Sequence, residues 1–230
     1  MVTAENTEQR LDGVELFLEL APADIRNVEE MCSWLRFQAG DQVFDQEHKS
    51  REVFFVVSGS VRVLTYKQNR REVALANVVA GDYFGELAAI DGKGRSARVV
   101  AVEQCLIASL PGPTFMDLMH RHPTIAVRVV NRFAYIIRTL DARVADLSSL
   151  SESQRVMTEL VRISRPDAKR PGGWIIASLP NHREIASWAG TSRDVVAQTI
   201  GELARDGVVE RRTMGLIIKD WDRLKLMARV

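Results

Sequence analysis

The spacing of apolar residues changes twice along this chain, and each change marks a boundary. Between Gly13 and Phe37 apolar residues fall at Val14, Phe17, Leu18, Ile25, Val28, Met31, Trp34 and Leu35, which predicts helix interrupted near its first third by Pro22. From Gly40 to about Leu110 the period becomes two. Short runs rich in Val, Ile and Phe alternate with turn signals at Ala39-Gly40-Asp41, Ser58-Gly59-Ser60, Lys67-Gln68-Asn69, Ala80-Gly81-Asp82 and Asp91-Gly92-Lys93-Gly94, the pattern of an all-β sandwich or roll. The repeated Ala-Gly-Asp points to two similar hairpin halves wrapped around one another.

His122-Pro123 then opens a long helix that runs to about Leu150. Along it Ala126, Val130, Phe133, Ile137, Leu140, Val144 and Leu147 recur at alternating steps of four and three, which makes a coiled-coil seam. A second stripe, Ile125, Val129 and Ile136, is placed to pack on the roll. Two apolar stripes offer more surface than one roll needs to cover, so a parallel dimer is expected; a helix that only covers a monomer core is the alternative. Ser151-Glu152-Ser153-Gln154 reads as a capping box, so a new helix starts there and a hinge falls at Leu150–Ser151. A loop containing Pro171-Gly172-Gly173 leads to a short strand at Trp174–Ser178, and Asn181 caps a further helix.

The expected fold class is therefore α+β: a jelly-roll-like β-roll over 1–122, a dimerisation helix over 123–150, and a small helical domain with strands over 151–230. Composition is ordinary for a soluble globular protein, 46% hydrophobic and 27% charged. The apolar runs Val53–Val57 and Val99–Val102 are strand-sized, and the polar start MVTAENTEQRLDG resembles neither a signal nor a transit peptide. A cytoplasmic protein with no membrane partner is expected. Two distant cysteines, Cys32 and Cys105, make neither a disulfide framework nor a metal knuckle. Net charge is +1, but it is unevenly spread: 14 basic and 10 acidic residues follow Ser151, against 17 and 20 up to it. Only the back of the chain is suited to a polyanion.

Two strings carry chemistry. Phe84-Gly85-Glu86-Leu87-Ala88-Ala89-Ile90-Asp91-Gly92-Lys93-Gly94-Arg95-Ser96-Ala97 runs from a strand into a helical turn, a glycine loop and another strand. Amides at a helix start attract an anion, Arg95 adds a charged fork suited to phosphate, and Ser96 adds a hydroxyl. Glu86 can only accept, which suits a sugar hydroxyl, so the whole string reads as a nucleotide site. The second string runs from His182 to Ile200. Ala186 lets two helices cross closely, Gly190 permits the turn between them, and Ser192 caps the second. Val195, Val196, Ile200 and Leu203 then face inward, leaving Arg193, Asp194, Ala197 and Gln198 outward, as a helix-turn-helix presents residues to a major groove. Residues 208–218 read as a hairpin wing.

With the preceding Gly-Asp, the Ser-Gly-Ser-Val strand start and the long helix, the first string resembles the phosphate-binding cassette of cyclic-nucleotide-binding domains. From about residue 14 to 220 the chain is similar to the Crp/Fnr family of bacterial transcription regulators. The resemblance implies a DNA-binding homodimer switched by cyclic AMP or cyclic GMP, with palindromic double-stranded DNA and RNA polymerase as partners, no metal and no enzymatic activity. By it, Gly85 and Glu86, with Leu87 beside them, face the ribose and cyclic phosphate; Arg95 and Ser96 bind the phosphate; Val63 and Leu75 line the base pocket. The two small hydroxyl residues that the family sets against adenine fall at Leu140 and Asp141, a departure. Leu140 cannot hydrogen-bond a base, whereas Asp141 could accept from an exocyclic amine. On DNA, Arg193 would donate to guanine and Asp194 accept from cytosine, with Gln198 reading a further base. Thr191 and Ser192 start that helix, and His182 and Arg183 are candidates for phosphate contact.

The alternatives are a regulator of the same family that answers another effector, redox or gas, or none, and a metal enzyme on a β-roll. The first would need cysteine or histidine ligands for iron–sulfur or haem. The second would need His-x-His and Glu ligands, and the roll contains only His48. A kinase regulatory subunit or a channel gating domain would lack the winged helix.

Overall fold

The computed structural model describes residues 9–66 and 72–229. The expected turn at Lys67-Gln68-Asn69 and the first eight residues lie outside them. The chain divides into two compact units, Met1–Tyr135 and Ile136–Val230.

In the first unit a 3-10 turn at Glu15–Phe17 and α1 (Pro22–Met31) precede β1 (Ser33–Phe37), β2 (Gln42–Phe44), β3 (Val53–Ser58), β4 (Ser60–Tyr66), β5 (Glu72–Val79) and β6 (Tyr83–Phe84). Then come α2 (Glu86–Asp91), β7 (Arg98–Ala101), β8 (Cys105–Leu110), α3 (Gly112–Arg121) and the start of α4 (Pro123–Ser149). Two antiparallel four-stranded sheets face each other, ordered β1-β8-β3-β6 and β2-β7-β4-β5. The unbroken apolar run in β3 has a simple cause: the strand is buried on both sides. Phe54 and Val56 join Phe44, Phe84, Val99 and Ile107 between the sheets, while Val53 and Phe55 meet Phe17, Phe115, Ile125 and Val129 under the helices. Each such side chain contributes about 1.5–3 kcal/mol through burial.

The helix expected up to Phe37 stops at Met31, and Ser33–Phe37 is β1, paired with β8 from Ser33↔Ser109 to Phe37↔Cys105. Trp34, Leu35 and Phe37 fit either period over so short a run, and the open edge of β8 decides. Helix α3 carries no expectation from the sequence; its buried Phe115 and Leu118 help close the roll. Of the second stripe on α4, Ile125 and Val129 are buried but Ile136 is 38% exposed.

The second unit holds the rest of α4, α5 (Glu152–Ile163), β9 (Arg165–Pro166), β10 (Trp174–Ile176), α6 (His182–Ala189), α7 (Arg193–Arg205), β11 (Val209–Arg211), β12 (Leu216–Ile218) and α8 (Trp221–Ala228). The capping box forms as expected: Gln154 N donates to Ser151 Oγ at 3.3 Å, and Ser151 N donates to Gln154 Oε1 at 2.9 Å. Strands order as β11-β12-β10-β9, with the β11–β12 hairpin as the wing. The expected strand ends at Ile176, two residues early, because that is where its pairing with Leu216 ends. Helix α8, also unforeseen, packs Leu224 and Ala228 into the core of α5, α6 and α7.

Candidate ligand cassette and DNA-facing surface

The cassette lies wholly in the first unit. Gly85 takes φ 87°, a left-handed value open to glycine, and a Cβ there would stand 2.7 Å from Arg95 Nη1. The glycine is therefore what lets Arg95 seat itself. That seat is deep: Arg95 is 2% exposed. Its Nε donates to Ser50 Oγ at 3.0 Å, Nη1 to the Gly85 carbonyl at 2.9 Å, and Nη2 to the Glu52 carbonyl at 2.9 Å and Glu52 Oε2 at 3.2 Å. The guanidinium carbon lies 4.2 Å from the centroid of the Phe44 ring and 5.3 Å from that of Phe54, in cation–π contact with both. Burial draws the Arg95 pKa below its ordinary value, opposed by the charges of Glu52 and Glu86.

Glu86 is also buried, and burial pushes its carboxyl upward against the pull of its own amide, Arg132 and Arg95. Arg132 on α4 pairs with Asp82, donates to the Tyr83 carbonyl at 3.0 Å and sits 4.3 Å over the Tyr83 ring. The long helix is thus bolted to the strand that leads into the cassette. Ser96 and Leu87 are exposed, Val63 is half-buried on β4, and Leu75 is 45% exposed on β5. Leu140 and Asp141, both exposed, lie on α4 in the second unit. Gly85, Glu86 and Arg95 are therefore gathered at one place.

Along α4 the seam residues Val130, Ile137, Leu140, Val144 and Leu147 are 52–65% exposed, an apolar face along one side of the helix. In the second unit Gly190, at φ 60°, makes the turn between α6 and α7, and a Cβ there would meet Leu147 Cδ2 at 2.6 Å. Asn181 caps α6 and Ser192 caps α7, accepting from Val195 N at 3.3 Å. Arg193 and Asp194 are exposed on α7; Gln198 is exposed too, and donates to Glu202 at 2.9 Å. The Thr191 hydroxyl points inward, away from solvent.

Between α6, α7 and the wing runs a cleft of about 630 Å³, and His182, Arg183, Arg193, Arg211 and Arg212 line it. The two wing arginines were not singled out from sequence, although the Arg211-Arg212 pair at a hairpin tip was the available signal. Burial, then Arg211 and Arg193, hold the His182 pKa below its ordinary value. Both cysteines are free; burial and Glu29 push Cys32 up to about 12, so its thiol is no ready nucleophile. Among the described residues no cluster of His, Cys, Asp or Glu could hold a metal, and no helix is long and apolar enough to cross a membrane.

A roll with an arginine-bearing turn, followed by a long helix and a winged helix-turn-helix, defines a DNA-binding architecture. Residues 34–122 match the cyclic nucleotide-binding domain and residues 154–227 the Crp-like helix-turn-helix domain. The chain is 30% identical to the cyclic AMP receptor protein of Thermus thermophilus over 86% of its own length and 89% of the relative's. It is 27% identical to the cAMP-activated global transcriptional regulator Vfr of Pseudomonas aeruginosa, covering 81% of this chain and 89% of that one. In fold it is similar to a CooA mutant from Carboxydothermus hydrogenoformans, at TM-score 0.78 and 22% identity over 96% of this chain and 98% of the other. The chain belongs to the Crp/Fnr family: it is a DNA-binding transcription regulator, not an enzyme.

Proposed function

We propose that the protein is a cytoplasmic homodimer that binds a palindromic operator when a cyclic nucleotide, cyclic AMP above cyclic GMP, occupies the Gly85–Ser96 cassette. The observation that carries this reading is the Arg95 seat: a charged fork, framed by Gly85 and Glu86, at a turn of the kind that holds phosphate. In this reading 1–122 receives the ligand, 123–150 dimerises and 151–230 reads DNA. Glu86 and Leu87 meet the sugar and phosphate, Ser96 the phosphate, and Val63 and Leu75 the base. The exposed apolar face of α4 supports the dimer, because a charged or polar face would be expected on a helix left in water.

Asp141 is the candidate for base discrimination, since a carboxylate accepts from the adenine amine and repels the guanine carbonyl oxygen. Arg193, Asp194 and Gln198 read bases, with Thr191 and Ser192 at the helix start; His182, Arg183 and the wing arginines Arg211 and Arg212 meet phosphates. RNA polymerase is the downstream partner. Calorimetric titration with cyclic AMP and cyclic GMP, paired with operator binding under each, tests the reading. Saturable binding lost in Arg95→Leu supports it; Arg95→Leu binding within about threefold of wild type overturns it.

A further inference from the structure

We infer that Glu52 is a built-in counter-anion that occupies the phosphate position on Arg95, so that the ligand binds by displacing the Glu52 carboxylate. The inference rests on the cassette reading above and deepens it by naming the residue that sets ligand affinity.

A guanidinium has five N–H groups. Four contacts are already made, from Nε to Ser50, from Nη1 to the Gly85 carbonyl, and from Nη2 to both the Glu52 carbonyl and its Oε2. The rings of Phe44 and Phe54, with centroids 5.5 Å apart, pack together against the guanidinium. The Arg95 side chain is 1% exposed, which leaves no open edge while all partners stay in place.

The partners differ in how readily they can leave. The Gly85 and Glu52 carbonyls belong to the backbone, and the Ser50 hydroxyl is on a short side chain. The Glu52 carboxylate is different: its side chain is 43% exposed and flexible, so it can swing into water. It is also the one partner of the four that carries a charge, and hence the one equivalent to a phosphate oxygen. Exchange of one anion for another keeps the buried guanidinium paired throughout, which avoids the large penalty of stranding it. Burial lowers the Arg95 pKa while Glu52 raises it, in keeping with a cation that must always have an anion at hand.

Glu52 therefore competes with the ligand, and removing its charge should tighten binding. Glu52→Gln suits the test because the amide oxygen can still accept from Nη2, keeping the seat folded while the anionic competition goes. Titration calorimetry of the full-length protein with cyclic AMP and cyclic GMP should show the dissociation constant in Glu52→Gln falling at least about tenfold, about 1.4 kcal/mol. The gain should survive in 0.5 M salt, roughly, where a general charge effect is screened. It should vanish when Arg95→Leu is added. If Glu52→Gln binds as wild type or more weakly while Arg95→Leu alone abolishes binding, the displacement idea falls and the cassette reading stands. A gain that persists without Arg95 also overturns it. If neither wild type nor Glu52→Gln binds either nucleotide, the cassette reading has failed and takes the inference with it.

Discussion

Arg143 of α4 grips Glu159 of α5 with two parallel hydrogen bonds, Nε to Oε1 at 3.0 Å and Nη2 to Oε2 at 2.9 Å, and that carboxylate is 1% exposed. Arg162 closes the group: its Nη1 donates to Glu159 at 2.7 Å and its Nη2 to Asp146 at 2.7 Å. Burial alone would lower the Arg162 pKa, but the hydrogen bonds to Asp146 and Glu159 outweigh it and raise the value. Arg155 adds bonds to the carbonyls of Leu150, Ala189 and Gly190. The break between α4 and α5 at Leu150–Ser151 is thus spanned by five side chains, Arg143, Asp146, Arg155, Glu159 and Arg162. The end of α4 is part of the DNA-binding unit.

Glu159→Gln should lower the stability of this unit by about 1–3 kcal/mol. The loss stays below that of stranding fully buried charges, because the arginines left behind are about a quarter exposed and water can reach them. Urea unfolding followed by the fluorescence of Trp174, Trp188 and Trp221 reads this unit. A change under about 0.5 kcal/mol would mean the network is only a surface ion pair.

Ile137→Asp or Val144→Asp places a charge on the apolar face of α4, at positions 57% and 65% exposed in the single chain. Since neither side chain supports the core, both variants should stay folded and sediment as monomers, whereas wild type should sediment as a dimer with or without nucleotide. Wild-type monomer at micromolar concentration would rule out the seam.

DNA binding should depend on pH through His182. Its pKa is depressed in the free protein by burial and by Arg211 and Arg193, so it releases its proton more readily than an unperturbed histidine. A DNA phosphate in the cleft would neutralise those arginines and restore the proton. Binding then takes up a proton, so affinity should rise as pH falls from 8 toward about 6, near the ordinary histidine value. For stability alone the sign is opposite: the unfolded state holds the proton more tightly, so this group destabilises the fold as pH falls below about 6.5. His182→Ala should flatten the pH dependence of DNA binding. An unchanged slope in that variant would remove His182 from the interface.

Features set by neighbours along the chain are legible in the sequence. The capping box at Ser151–Gln154, the turn at Gly190 and the cap at Ser192 each depend on a few adjacent residues, and each is where the pattern puts it. What escaped depends on distance along the chain. Arg95 could be read as a phosphate ligand, but its partners Ser50 and Glu52 lie 45 and 43 residues away, and nothing local shows that four of its five N–H groups are already engaged. Ser33–Phe37 looked helical because its apolar spacing fits two periods; only pairing with β8 separates them. Helices α3 and α8 are not marked in the sequence, because what holds them is burial of Phe115 and Leu224 against residues far along the chain.

In the proposed function one protein couples a nucleotide in the first unit to an operator at the second. Coupling between two binding sites is reciprocal, so each ligand must change the affinity for the other by the same factor. The most direct test is calorimetric titration of cyclic AMP into the full-length protein with and without saturating operator DNA, set beside operator binding with and without the nucleotide. Both comparisons should give the same factor, at least about tenfold, or roughly 1.4 kcal/mol. Nucleotide affinity that is unchanged by the operator, with operator affinity unchanged by nucleotide, would contradict the account.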